Sequence, residues 1–185
     1  MKKGGCDIHD RNQTMARLPQ PDLNHPDLAA LVVRIKEERS GRLLNLYRML
    51  LHSPPLADGW RELMTAIRQR TTLSGRIREL VILHIAVIND ADYEFRAHVP
   101  FALKEGITQA QIDALKAGKI EGLSDAERAV LAYAAAMTVE VRVPDALFDD
   151  VRRQLNAREI VELTATISAY NMVSRFVEAL RIDHD

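Results

Sequence analysis

From His25 onward the apolar residues recur at spacings of three and four rather than in alternation, so the chain reads as helices, with no convincing strand. In "HPDLAALVVRIKEER", Pro26 suits a first helical position, and Leu28, Leu31, Val32 and Ile35 form one stripe. "GRLLNLYRMLLHSPP" stops at Pro54 and Pro55. "PPLADGWRELMTAIRQR" restarts there, with Leu56, Trp60, Leu63, Met64 and Ile67 expected on its buried side. In "TTLSGRIRELVILHIAVIND", Ser74 can cap a helix whose middle is apolar almost all round; such a helix belongs in a bundle centre or a subunit interface.

"DADYEFRAHVPFALKEG" reads as a helix stopped by Gly106 and kinked or tightened by Pro100. A short helix follows in "TQAQIDALKAG", between the cap Thr108 and the stop Gly118. "SDAERAVLAYAAAMTVE" opens on a capping box, Ser124 with Glu127. "PDALFDDVRRQL" starts near Pro144, and "NAREIVELTATISAYNMVSRFVEALRI" is long enough to cross a domain. The pattern predicts an all-α chain of eight or nine helices: a loose arm over 1–24 and one helical domain over 25–185.

Composition changes this picture little. Of the 185 residues, 47% are hydrophobic and 28% charged, and the formal net charge is −1. That is an ordinary globular balance with no basic field, which argues against a nucleic-acid partner. The first residues lack the apolar run of a signal peptide and no stretch approaches a membrane span, so a cytoplasmic protein with no membrane partner is expected. Cys6 is the only cysteine, which excludes an internal disulfide or a thiol pair.

Candidate chemistry gathers in one helix. Glu94 and His98 stand four residues apart, on one helical face. That spacing alone also fits a surface pair worth a few tenths of a kcal/mol. Glu79, set among apolar neighbours on the preceding helix, adds weight, because buried carboxylates seldom lack a partner. If the chain turns between Asn89 and Asp92, Glu79 faces Glu94 and His98; Arg76 or Arg78 neutralising Glu79 is the plainer alternative. A divalent metal on the three groups is a thinner reading, since no further ligand is near in sequence. His84 reads as a core or interface histidine, and His52 as a helix-end cation. No nucleotide-binding loop or nucleophile elbow is present.

The succession "LNLYRMLLHSPPL", "TTLSGRIRELVILHIA", "DYEFRAHVPFALKEGIT", "LSDAERAVLAYAAAMT" and "NAREIVELTATISAYNMVSRF", from about Leu43 to Val177, resembles the carboxymuconolactone decarboxylase family, which includes the alkylhydroperoxidase D branch. The resemblance implies an orthogonal multi-helix bundle of that type, assembled as a homo-oligomeric trimer or hexamer. In the peroxidase branch a glutamate, a CxxC pair and a histidine form a relay. Position by position, the glutamate falls on Glu79 and the final histidine on His98; the cysteines fall on Ala91 and Glu94, and a histidine between them on Tyr93.

With both sulfur atoms replaced, the thiol route to peroxide reduction has no nucleophile and no resolving partner. The decarboxylase branch implies instead a cofactor-free lyase on a small carboxylated lactone or related acid of aromatic catabolism. His98 is then expected as general acid/base, Glu94 and Glu79 as its orienters or second proton carriers, and Tyr93, Arg76 and Arg175 as substrate contacts. Tyr170 and Asn171 fit either the pocket or helix packing. An alkylhydroperoxidase-like antioxidant and a non-catalytic oligomeric binding protein stay open as alternatives.

Overall fold

A computed structural model describes residues 16–185. It contains, among the described residues, nine helices and no strand: α1 (Pro26–Glu38), α2 (Asn45–Leu50), α3 (Pro54–Gln69), α4 (Gly75–Ile88), α5 (Asp92–Lys104), α6 (Gln109–Lys116), α7 (Asp125–Val139), α8 (Asp145–Arg152) and α9 (Ala157–Leu180). The arm expected over 1–24 lies outside the described residues as far as position 15, and so does Cys6. Residues 16–24 lie against the body: the Arg17 N–H donates to the Leu180 carbonyl at 2.9 Å, and His52 Nε2 is 2.9 Å from the Pro19 carbonyl.

The caps follow from local chemistry. Ser74 accepts from the Ile77 N–H at the start of α4. Thr108, Ser124 and Asn156 each close a capping box with the residue three further on, so that orphan amides of α6, α7 and α9 find side-chain partners. Gly106 ends α5 at φ +79°, a left-handed conformation that glycine adopts without strain.

Helix α4 is the axis of the bundle. It packs against α5, α7 and α9, and its segment Leu80 to Ile85 is buried save for the partly exposed His84. The single chain itself covers this apolar helix, which makes it the bundle centre rather than a surface awaiting a partner. α9, with 24 residues, extends about 36 Å and carries Leu163, Ile167, Tyr170, Val173 and Val177 inward. α1 packs on α3, and α3 meets α9 where Trp60 tilts against Phe176 at 5.2 Å.

One expected stripe sits differently. Trp60, Met64 and Ile67 of α3 are buried, but Leu56 is 51% and Leu63 45% exposed. The helix is rotated so that Arg61 and Thr65 face inward, where both bond to the carboxylate of Glu38 on α1. Leu56 and Leu63 therefore fall at the margin of the buried arc. No helix among the described residues is long and apolar enough to cross a membrane.

Candidate functional site

The turn between α4 and α5 is tight. Asn89 caps α4, Asp90 takes φ +52°, and the Ala91 N–H donates back to the Ala86 carbonyl at 2.8 Å. The two helices thus run back along each other, and residues 19 apart in sequence meet: His98 Nδ1 lies 2.7 Å from Glu79 Oε2. His98 Nε2, on the other side of the ring, lies 3.6 Å from Glu94 Oε2, too far for a good hydrogen bond. Exposure is 2% for Glu79, 4% for Glu94 and 4% for His98, so water hardly screens the group.

The two carboxyls are pushed in opposite directions. Burial alone would raise Glu79, but the hydrogen bond to His98, the imidazole's charge and the Arg78 guanidinium at 3.2 Å outweigh it and hold that carboxyl below its usual range. Burial dominates at Glu94 and raises it; the charges of His98 and Arg68 offset only part of this. An ionised Glu79 can only accept, so the proton between the partners sits on Nδ1. In the neutral imidazole, Nε2 is then a free base facing a carboxyl that tends to keep its proton.

The group opens onto a cavity of about 640 Å³. Its walls include Trp60, Met64 and Arg68 from α3, Phe101 from α5, and Tyr170 and Val173 from α9. The Tyr170 ring meets His98 edge-on at 5.1 Å, and Phe101 tilts against His98 at 5.7 Å. Tyr93 also lines the cavity; its hydroxyl donates to Asp185 Oδ2 at 2.5 Å and its ring stacks on His184 at 5.8 Å.

Of the residues singled out from the sequence, Glu79, Glu94, His98 and Tyr93 are brought together. Arg76 and Arg175, expected as substrate contacts, are not. Arg76 bonds Glu127 at 2.6 Å, the Gly106 carbonyl and Gln111, and so ties α4 to α6 and α7. Arg175 donates to the carbonyl and side-chain oxygens of Asn171 one turn back on α9. Each is held where its own neighbours satisfy it, and neither lines the cavity. It is Arg78 rather than Arg76 that pairs with Glu79.

Arg68 was missed. Its signal was present, since Trp60, Met64 and Arg68 at spacings of four share a face of α3, but a cation ending an apolar stripe is hard to tell from a snorkelling side chain. Among the described residues no three His, Cys, Asp or Glu side chains converge as a metal site.

Comparison with known proteins adds three findings. Residues 54–136 match the model of the carboxymuconolactone decarboxylase family. No curated protein matches the chain in sequence. Solved structures share its fold at low identity. An uncharacterized peroxidase-related protein from Silicibacter sp. TM1040 is 18% identical with a TM-score of 0.82, over 96% of this chain and 95% of that one. An uncharacterized peroxidase-related protein from Ralstonia eutropha JMP134, described as an alkylhydroperoxidase core, is 16% identical with a TM-score of 0.79, over 92% of each chain. A variant of the debrominase Bmp8 in complex with 2,3,4-tribromopyrrole is 20% identical with a TM-score of 0.74, over 95% of this chain and 93% of that one.

Proposed function

From the match of residues 54–136 to the model of the carboxymuconolactone decarboxylase family, we propose that the protein is a cofactor-free acid/base carboxy-lyase acting on a small carboxylated lactone or related oxo-acid. The observation that carries this reading is one buried imidazole flanked by two carboxyls whose proton affinities are driven apart. Glu79 orients the ring, His98 Nε2 exchanges the proton, and Glu94 acts as the second proton carrier.

In the reaction, the bond from carbon to the substrate's carboxylate breaks and its electron pair passes onto a conjugated carbonyl oxygen as CO2 leaves. The resulting enolate takes a proton at carbon from the His98 and Glu94 pair, and solvent restores that proton. Positioned acid/base groups of this kind contribute about 10²–10⁴-fold to a rate. Assembly as a trimer or hexamer belongs to the same reading and is tested by light scattering of the purified protein.

A thiol peroxidase is disfavoured because the positions of the paired sulfur atoms are held by Ala91 and Glu94. The test is a screen of carboxylated lactones and oxo-acids for CO2 release, alongside peroxide consumption, with wild type, His98→Ala and Cys6→Ser. Decarboxylation that survives His98→Ala would overturn the assignment, as would peroxide turnover abolished by Cys6→Ser. Helicity measured by circular dichroism separates a lost site from a lost fold.

A further inference from the structure

Four buried side-chain polar atoms have no hydrogen-bond partner among the described residues: Arg39 Nε, Trp60 Nε1, His84 Nδ1 and Tyr170 Oη. Three of their residues, Arg39, Trp60 and Tyr170, line the same cavity as His98 and Glu94. Trp60 is 5% and Tyr170 2% exposed, so both residues are almost wholly buried. A buried donor left unpaired is costly, and such groups gather where a ligand supplies the acceptor. The Arg and Trp N–H groups only donate and the Tyr hydroxyl can donate, so a partner carrying acceptors satisfies all three.

Charge points the same way. Arg68 is half-buried, lies 4.9 Å over the Phe101 ring, and makes no ion pair or hydrogen bond with a described residue. Of the other arginines on the cavity wall, Arg96 pairs with Asp92 at 2.6 Å, Arg39 donates to the Tyr47 hydroxyl at 2.8 Å, and Arg42 is exposed to solvent where Arg68 is half-buried. The charge of Arg68 reaches both Glu94 and Tyr170. A guanidinium held on an aromatic face with no carboxylate bonded to it is poised for a planar anion.

We propose that Arg68 and Tyr170 form the substrate-holding subsite, Arg68 pairing with a carboxylate and the Tyr170 hydroxyl donating to a carbonyl oxygen of a small organic anion packed against Trp60 and Phe101. This rests on the reading of the cavity as the reaction site. It adds a donor aimed at the oxygen that gains charge when the carbon–carboxylate bond breaks, the place where a preorganised hydrogen bond acts most strongly.

The test is a binding titration followed by the fluorescence of Trp60, the chain's one tryptophan. Three probes separate the two contacts: paraconate, with carboxylate and lactone carbonyl; γ-butyrolactone, with the carbonyl alone; and cyclopentanecarboxylate, with the carboxylate alone. Arg68→Gln should weaken paraconate and cyclopentanecarboxylate about tenfold or more and leave γ-butyrolactone unchanged. Arg68→Lys should recover part of that loss. Tyr170→Phe should weaken paraconate and γ-butyrolactone and leave cyclopentanecarboxylate unchanged.

Failure of the wild type to bind paraconate, or either variant binding all three probes like wild type, would overturn the assignment. No turnover is read, so the two readings fail separately. The expected binding pattern without CO2 release from any acid would sink the lyase and leave the subsite. CO2 release indifferent to both variants would do the reverse.

Discussion

Replacing Glu79 with Gln keeps the shape of the side chain and removes its charge. The bond it makes to His98 is 2.7 Å long and both partners are at most 4% exposed, so solvent does not take over the lost interaction. A hydrogen bond to a charged group is worth about 1.5–3 kcal/mol and a neutral one about 0.5–1.5, which puts the loss at about 1–2 kcal/mol. Arg78, 3.2 Å away with a side chain only 14% exposed, also loses its counter-charge and adds a smaller amount. For a domain of this size that corresponds to a fall in Tm of about 2–8 °C.

The deficit should depend on pH with a definite sign. Glu79 is held below its ordinary value of 4.5, so the unfolded chain binds the proton first as pH falls. The wild type's advantage is then fully present above about 4.5 and shrinks below it, until both states are protonated. Urea unfolding followed by Trp60 fluorescence, at neutral pH and in steps through the acid range, measures it. Nitrogen NMR of His98 reports the second consequence: a proton on Nδ1 in the wild type, and a mixture of tautomers once Gln can offer either end of its amide. A variant as stable as wild type at neutral pH, or a deficit that grows toward acid, would refute the reasoning. An Nε2–H tautomer in the neutral imidazole of the wild type would refute it equally.

Three further outcomes follow from the same packing. Glu94→Gln should gain on wild type as pH rises from 4.5, because burial raises this carboxyl and the folded chain keeps a proton that the unfolded chain has released; Tm against pH for the pair checks the sign. Tyr170→Phe removes a buried hydroxyl with no partner among the described residues, and should stabilise the unliganded chain by about 1–3 kcal/mol in denaturant titrations; a loss of stability would mean that the hydroxyl is satisfied after all. Arg61→Met should destabilise by about 1–3 kcal/mol, less than a fully buried pair, because Glu38, Asp58 and Glu62 can rehydrate once the guanidinium is gone. A double-mutant cycle with Glu38→Gln apportions that loss.

Much of the fold was legible in the chain because helices are local objects. Caps at Ser74, Thr108, Ser124 and Asn156 and the left-handed Gly106 are set within a few residues of themselves, and the apolar run around Leu80 to Ile85 announces a helix that must be covered on all sides. The meeting of Glu79, Glu94 and His98 was also within reach, since a short turn between two helices of known period leaves few registers for the hairpin. What local pattern could not decide was which helix packs against that hairpin, and at what rotation. Periodicity put Leu56 and Leu63 inside, but Arg61 and Thr65 reach Glu38 across the α1 and α3 contact, and that long-range pairing sets the face.

The same rotation carries Arg68 to the cavity wall, while contacts with Glu127 and Asn171 draw Arg76 and Arg175 away from it. Sequence by itself determined the helices, their ends and the hairpin of α4 and α5 that carries Glu79, Glu94 and His98, because those depend on neighbours along the chain. Only the tertiary structure decided the walls of the cavity, the opposed proton affinities of Glu79 and Glu94, and which donors stay without a partner. Burial and long-range pairing are properties of the packed chain, and no stretch of sequence holds them alone.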